Sequence, residues 1–80
     1  MDVSVEISFY PLVSAYGPPV SEFISRLKAR PDIEVVPGGM STVVIGGYDE
    51  VFGALNEEIK VSMEKHPSVF TLKIANSCPV

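Results

Sequence analysis

The chain opens on a strict alternation. Val3, Val5, Ile7 and Phe9 fall on one row; Ser4, Glu6 and Ser8 fall on the other, and Tyr10 continues the polar row. A period of two predicts a β-strand over 3–9 with one buried face. Pro11 cannot donate to a ladder, so it ends the strand or marks its edge. The period then changes. After a loop through Ser14, Tyr16 and Gly17, Pro18-Pro19 opens a helix at the position where a missing N–H costs nothing. Val20, Phe23, Ile24 and Leu27 recur at i, i+3, i+4 and i+7, the stripe of an amphipathic helix. Arg26, Lys28 and Arg30 suit the negative end of its dipole, and Pro31 stops it.

A second half repeats the logic. Ile33 to Val36 reads as a short strand, Pro37-Gly38-Gly39 as a hairpin turn, and Met40 to Ile45 as the next strand. Gly46-Gly47 breaks it, and Asp49 is a plausible N-cap. The following helix sends Phe52, Leu55, Ile59 and Met63 inward, with Glu57, Glu58, Lys60 and Lys65 near its solvated side. His66-Pro67 ends it. In the last strand, Val69 to Ala75, Phe70, Leu72 and Ile74 share the inner row; Val69, Thr71, Lys73 and Ala75 share the outer one. Asn76 to Val80 reads as a frayed tail. The order is βαββαβ. Connection rules then favour an α+β fold of the ferredoxin-like kind: one domain over 1–80, a four-stranded antiparallel sheet with two helices on one face.

Composition narrows the function classes. A chain of 80 residues buries only about 60% of its unfolded surface, so it gains from pairing with another copy. The net charge of −4 and the scattered placement of Arg26, Lys28, Arg30, Lys60, Lys65 and Lys73 argue against a nucleic-acid partner. A single Cys78 excludes an internal disulfide and any multi-cysteine metal site. With no signal-like leader and no apolar run long enough to span a bilayer, the expectation is a cytoplasmic protein without membrane insertion.

Candidate chemistry lies on the sheet. The face away from the helices should carry Ser4, Glu6, Ser8 and Tyr10 beside Thr71 and Lys73, which puts Glu6 near Lys73. Ser41 and Thr42 set two adjacent hydroxyls on an interior strand, and a buried hydroxyl without a partner costs about 1–3 kcal/mol. Thr42 either simply fits a pleated strand or, with Ser41, meets a polar ligand. The two point to opposite faces, so both reach one ligand only if the strand is bulged or a pocket wraps its end. Thr42 is the stronger candidate. Tyr10, Tyr16 and Tyr48 either stack on a flat heterocycle or pack at element edges. His66 reads as a helix-dipole partner rather than a base, and Cys78 has no histidine nearby. No CxxC and no phosphate-cradling glycine motif is present. The expectation is a protein that is not an enzyme and holds no metal and no cofactor.

One ordered set of residues carries a resemblance. It comprises Glu6-Ile7-Ser8-Phe9-Tyr10-Pro11-Leu12, Tyr16-Gly17-Pro18-Pro19-Val20 leading to Phe23-Ile24 and Leu27, and Met40-Ser41-Thr42. Gly46-Gly47 before Tyr48-Asp49, and Phe70-Thr71-Leu72-Lys73-Ile74, complete it. In this order and spacing the chain resembles the YkoF-type thiamine/hydroxymethylpyrimidine-binding family. The resemblance implies a ferredoxin-like, ACT-like domain that binds thiamine or its pyrimidine moiety without turning it over, in vitamin salvage, transport or sensing. Some members carry two such domains in tandem, so a homodimer is the equivalent arrangement here. Under this reading Glu6 faces the thiazolium or accepts from the exocyclic amine, while Ser8, Ser41 and Thr42 donate and accept. Tyr10 or Tyr16 stacks on a ring. The alternative is an ACT-like regulatory module that oligomerises, as dimer or tetramer, through its open sheet face without thiamine. A cofactor-free enzyme using Glu6 or Tyr10 comes last, for want of an acid–base pair.

Overall fold

The computed structural model describes residues 1–76. Its elements are β1 (Asp2–Pro11), α1 (Gly17–Lys28), β2 (Glu34–Pro37), β3 (Thr42–Gly47), α2 (Tyr48–Lys65) and β4 (Ser68–Ala75). The strands form one sheet in the order β2-β3-β1-β4, with every neighbouring pair antiparallel. This is the ferredoxin-like arrangement. In register, Val5 stands opposite Val44 on one side and Ile74 on the other. The inner row of β1 meets the helices in a core of Val3, Val5, Ile7, Phe23, Leu27, Val44, Val51, Ala54 and Leu55. Fully burying each of the Val, Leu, Ile and Phe side chains among them contributes about 1.5–3 kcal/mol.

Several local expectations shift. β1 runs to Pro11 because Tyr10 and Pro11 still pair with Val69 and Ser68. β3 begins at Thr42, not Met40: the Gly38 N–H donates to the Ser41 carbonyl at 2.9 Å, which draws Gly39 and Met40 into the turn. Gly46 and Gly47 belong to the strand, opposite Val3 and Asp2. A Cβ on Gly46 would come within 3.3 Å of Val51 Cγ2, so the glycine lets α2 approach the sheet. Gly47, rather than Asp49, takes the N-cap position of α2, and Asp49 lies in the first turn, where negative charge suits the dipole. His66 is the C-cap, its backbone N–H donating to the Ser62 carbonyl.

Three inward assignments are corrected. Met63 is exposed, and the buried face of α2 is made by Val51, Ala54, Leu55 and Ser62. Leu72 and Ile74 are 36% and 55% exposed. The helices rest chiefly on β1, β2 and β3, so the inner row of edge strand β4 is left largely uncovered beyond Phe70. Most of the expected frayed tail, with Cys78, lies outside the described residues.

The two helices are joined by ions. Arg26 Nε donates to Glu58 Oε1 at 2.8 Å, and its other nitrogens donate to Glu22 at 2.8 Å and to Ser62 Oγ at 2.7 Å. Arg30 donates to Glu58 at 2.9 Å and to Glu57 at 2.6 Å, and Lys65 also bonds Glu22. Glu58 is therefore part-buried in this seam and not a freely solvated side chain. Burial pushes its carboxyl up, but hydrogen bonds from Arg30 and Arg26 outweigh that and hold it below the ordinary range. The hydrogen bond from Lys65 likewise lowers Glu22, and Glu57 followed by Glu58 raises Arg30.

Candidate ligand-binding site

A cleft of about 410 Å³ opens where the C-terminal end of β1 meets the start of β3. β1 supplies Ile7 to Pro11, α1 supplies Val20, Phe23 and Ile24, and the β2–β3 connection supplies Gly38 to Thr42. Tyr16 enters from the N-cap of α1, where its carbonyl accepts the Val20 N–H at 3.3 Å. The volume falls within the range of small-molecule sites. Alternation along β1 sets the geometry. Ile7 and Phe9 point under the helices and Ser8 and Tyr10 point away, so a cleft touching all four wraps the end of the sheet.

Its inner wall is aromatic. Phe9 stacks on Phe70 with centroids 4.3 Å apart, and Phe23 closes the cluster at 5.5 Å from Phe9 and 5.3 Å from Phe70. Such pairing fixes the rings beyond what area burial alone provides.

The cleft brings together Ser8, Tyr10, Tyr16, Ser41 and Thr42. Thr42 faces the helices opposite Ile7 and is only 6% exposed; Ser41, half-buried, precedes the strand. Ser8 Oγ donates to the Met40 carbonyl at 3.4 Å. Tyr10 and Tyr16 stand exposed at the rim. Glu6 is not brought to the cleft. It lies on the open face opposite Lys73 and Val43, with Lys73 Nζ 3.8 Å from its Oε1. Tyr48 packs on Phe52 at 4.7 Å and also lies outside the lining.

Thr42 carries the sharpest detail. Its hydroxyl makes no hydrogen bond to the described residues. Yet no buried side-chain oxygen among them is left without a partner. The oxygen of this buried residue is therefore not fully sealed, and Thr42 lines the cleft.

The lining carries no carboxylate, lysine, arginine, histidine or cysteine among the described residues. It offers apolar and aromatic walls, three hydroxyl side chains that both donate and accept, and two phenol groups. Phe9, Phe23 and Ile24 are wall residues that pattern reading assigns to the core, since a cavity wall and a core face share one periodicity. Met40 was legible only as a strand residue and Gly38-Gly39 only as a turn.

No family model matches the chain, and no curated protein matches it significantly. Among solved structures, it is similar to a protein from Streptococcus pneumoniae, with 22% identity and a TM-score of 0.88 over 96% of this chain and 88% of that one. It is similar to a hypothetical protein from Methanocaldococcus jannaschii, with 28% identity and a TM-score of 0.82 over 96% and 81%. A third is a Thermotoga maritima protein described as a candidate for thiamine biosynthesis or salvage, with 19% identity and a TM-score of 0.85 over 96% and 85%. These likenesses establish a shared fold along nearly the whole chain.

Proposed function

We propose that this protein binds the hydroxymethylpyrimidine moiety of thiamine in the cleft at the end of β1, holding it without turnover in vitamin salvage, transport or sensing. The observation that carries the reading is the hydroxyl of Thr42, a buried residue of the cleft lining. Its oxygen makes no side-chain hydrogen bond to the described residues and is not sealed from solvent, beside aromatic walls with no charged side chain among the described residues. An aminopyrimidine matches that chemistry. Its flat ring stacks on Tyr10 or Tyr16, its exocyclic amine donates, and its ring nitrogens accept. The likeness to the Thermotoga maritima protein adds support from fold.

Charge sets the expected order among related ligands. A thiazolium drawn into this cleft meets no counter-ion among the described residues, and a ring face offers it only about 0.5–2 kcal/mol. A diphosphate meets no Lys or Arg among the described lining residues and loses its hydration without a counter-charge from them. The neutral pyrimidine has neither penalty. Micromolar affinity needs about 8 kcal/mol, or ~0.8 kcal/mol for each of its roughly ten heavy atoms, within reach of a small, well-fitted ligand. Titration calorimetry with hydroxymethylpyrimidine, thiamine and thiamine diphosphate tests the reading. Saturable binding of the pyrimidine, weakest for the diphosphate, is expected; tightest binding of the diphosphate, or no binding of any, contradicts it.

A second reading has its own observation. The open face carries Val36, Val43, Ile45 and Val69 around Glu6 and Lys73, apolar enough for a second copy to pack there. Such a homodimer is compatible with the binding role. Without a ligand it would be the whole role, and sedimentation against protein concentration by ultracentrifugation separates the cases when read beside the titration.

A further inference from the structure

No other large apolar side chain among the described residues is as exposed as Met40, at 94%. Isolated exposed apolar residues are common, so the number alone means little. Its setting adds the meaning. Met40 borders the cleft on the two-residue tip of the β2–β3 turn. The Gly38 N–H holds the base of that turn to the Ser41 carbonyl at 2.9 Å, and Ser8 Oγ holds the carbonyl of Met40 itself at 3.4 Å. A Cβ on Gly38 would strike the Ser41 oxygen at 2.9 Å, whereas a Cβ on Gly39 would meet nothing within 4 Å. The base is tight and the tip has room. The main chain of Met40 is thus fastened to a wall of the cleft while its side chain stands in water.

We infer that Met40 is the cap of the site: when a flat, uncharged heterocycle occupies the cleft, the Met40 side chain folds down over it. This rests on the proposed reading of the cleft as a pyrimidine site. Methionine suits the task. It is unbranched, turns about three bonds, and its polarisable sulfur makes favourable contacts with aromatic rings. Phe9 and Phe23 supply one side of the enclosure, and the thioether supplies its cover. Excluding water from that side strengthens the hydrogen bonds to Ser8, Ser41 and Thr42. A cover of this kind acts on escape more than on entry, so its effect falls on the dissociation rate.

The test uses the intact chain labelled with methyl-¹³C methionine and titrated with hydroxymethylpyrimidine. Met63, half-exposed on α2 and outside the cleft, is the internal reference. The Met40 methyl resonance is expected to shift with the ring current of the bound heterocycle while that of Met63 stays in place. Met40→Ala is expected to release the pyrimidine about 2- to 10-fold faster with its association rate unchanged, and Met40→Leu to keep most of the residence time. Binding by the wild type with an unmoved Met40 signal and an unaltered Met40→Ala dissociation rate overturns the cap and leaves the binding reading intact. Absence of binding by the wild type overturns both.

Discussion

Helix α1 separates two polar regions built on opposite principles. Along one flank Glu22, Arg26 and Arg30 meet α2 in a seam where buried Ser62 receives a guanidinium and Glu58 receives two. Along the other, Val20, Phe23 and Ile24 border a cleft where Thr42, buried nearly as deeply as Ser62, has no partner among the described residues. One region is saturated with charge and the other has no charged side chain among the described residues. A buried hydroxyl does not mark function by its depth. What separates the two is whether the fold itself satisfies the group, because an unmet donor or acceptor is a cost that only a ligand or water removes.

The largest expected effect is at the seam. Glu58→Ala leaves Arg26 and Arg30 without their shared carboxylate and should lower stability by about 1.5–3 kcal/mol in urea unfolding. Pyrimidine affinity, measured where the variant is folded, should not change; a parallel loss would break the separation of the two regions. Acid sharpens the same point. Glu58 is held below its ordinary value of 4.5, so its contribution is fully present above that pH and is lost as pH falls through the lower, folded value. Wild-type stability should therefore decline below about pH 4.5, and Glu58→Gln should flatten that decline.

At the cleft the pattern should reverse. Thr42→Val keeps the shape and removes the oxygen, so stability should hold or rise slightly while pyrimidine binding weakens about 10-fold, near 1.4 kcal/mol. The smallest effect belongs to Glu6. Its exposed pairing with Lys73 at 3.8 Å should contribute no more than about 1 kcal/mol, and Glu6→Gln should leave pyrimidine affinity within about twofold. A tenfold loss there would return Glu6 to the site and require the ligand to extend onto the open face.

The element order and the neighbourhood of Glu6 and Lys73 were legible because alternation at Val3 to Phe9 and the stripe at Phe23 and Leu27 mark strand and helix, and the connection rules then pair the first and last strands. Edges were less so. Leu72 and Ile74 carry the pattern of a buried row, but how far two helices reach across a sheet is set by packing and not by the strand's own period. Glu58 looked like one more surface charge, since nothing local announces Arg26 from α1 and Arg30 from just beyond its end. For the site, Ser41 and Thr42 were visible as an anomaly on a strand. The common cleft depended on the end of the sheet, where the Gly38-to-Ser41 turn folds around β1 and defeats the rule that neighbours face apart.

The central claim is tested most directly by calorimetric titration of hydroxymethylpyrimidine into the wild type and Thr42→Val in parallel. Saturable binding near one per chain, weakened about 10-fold in a variant that is no less stable, is the predicted result. Equal affinity in the two proteins would contradict it, because the partnerless hydroxyl would then have no part in holding the ligand.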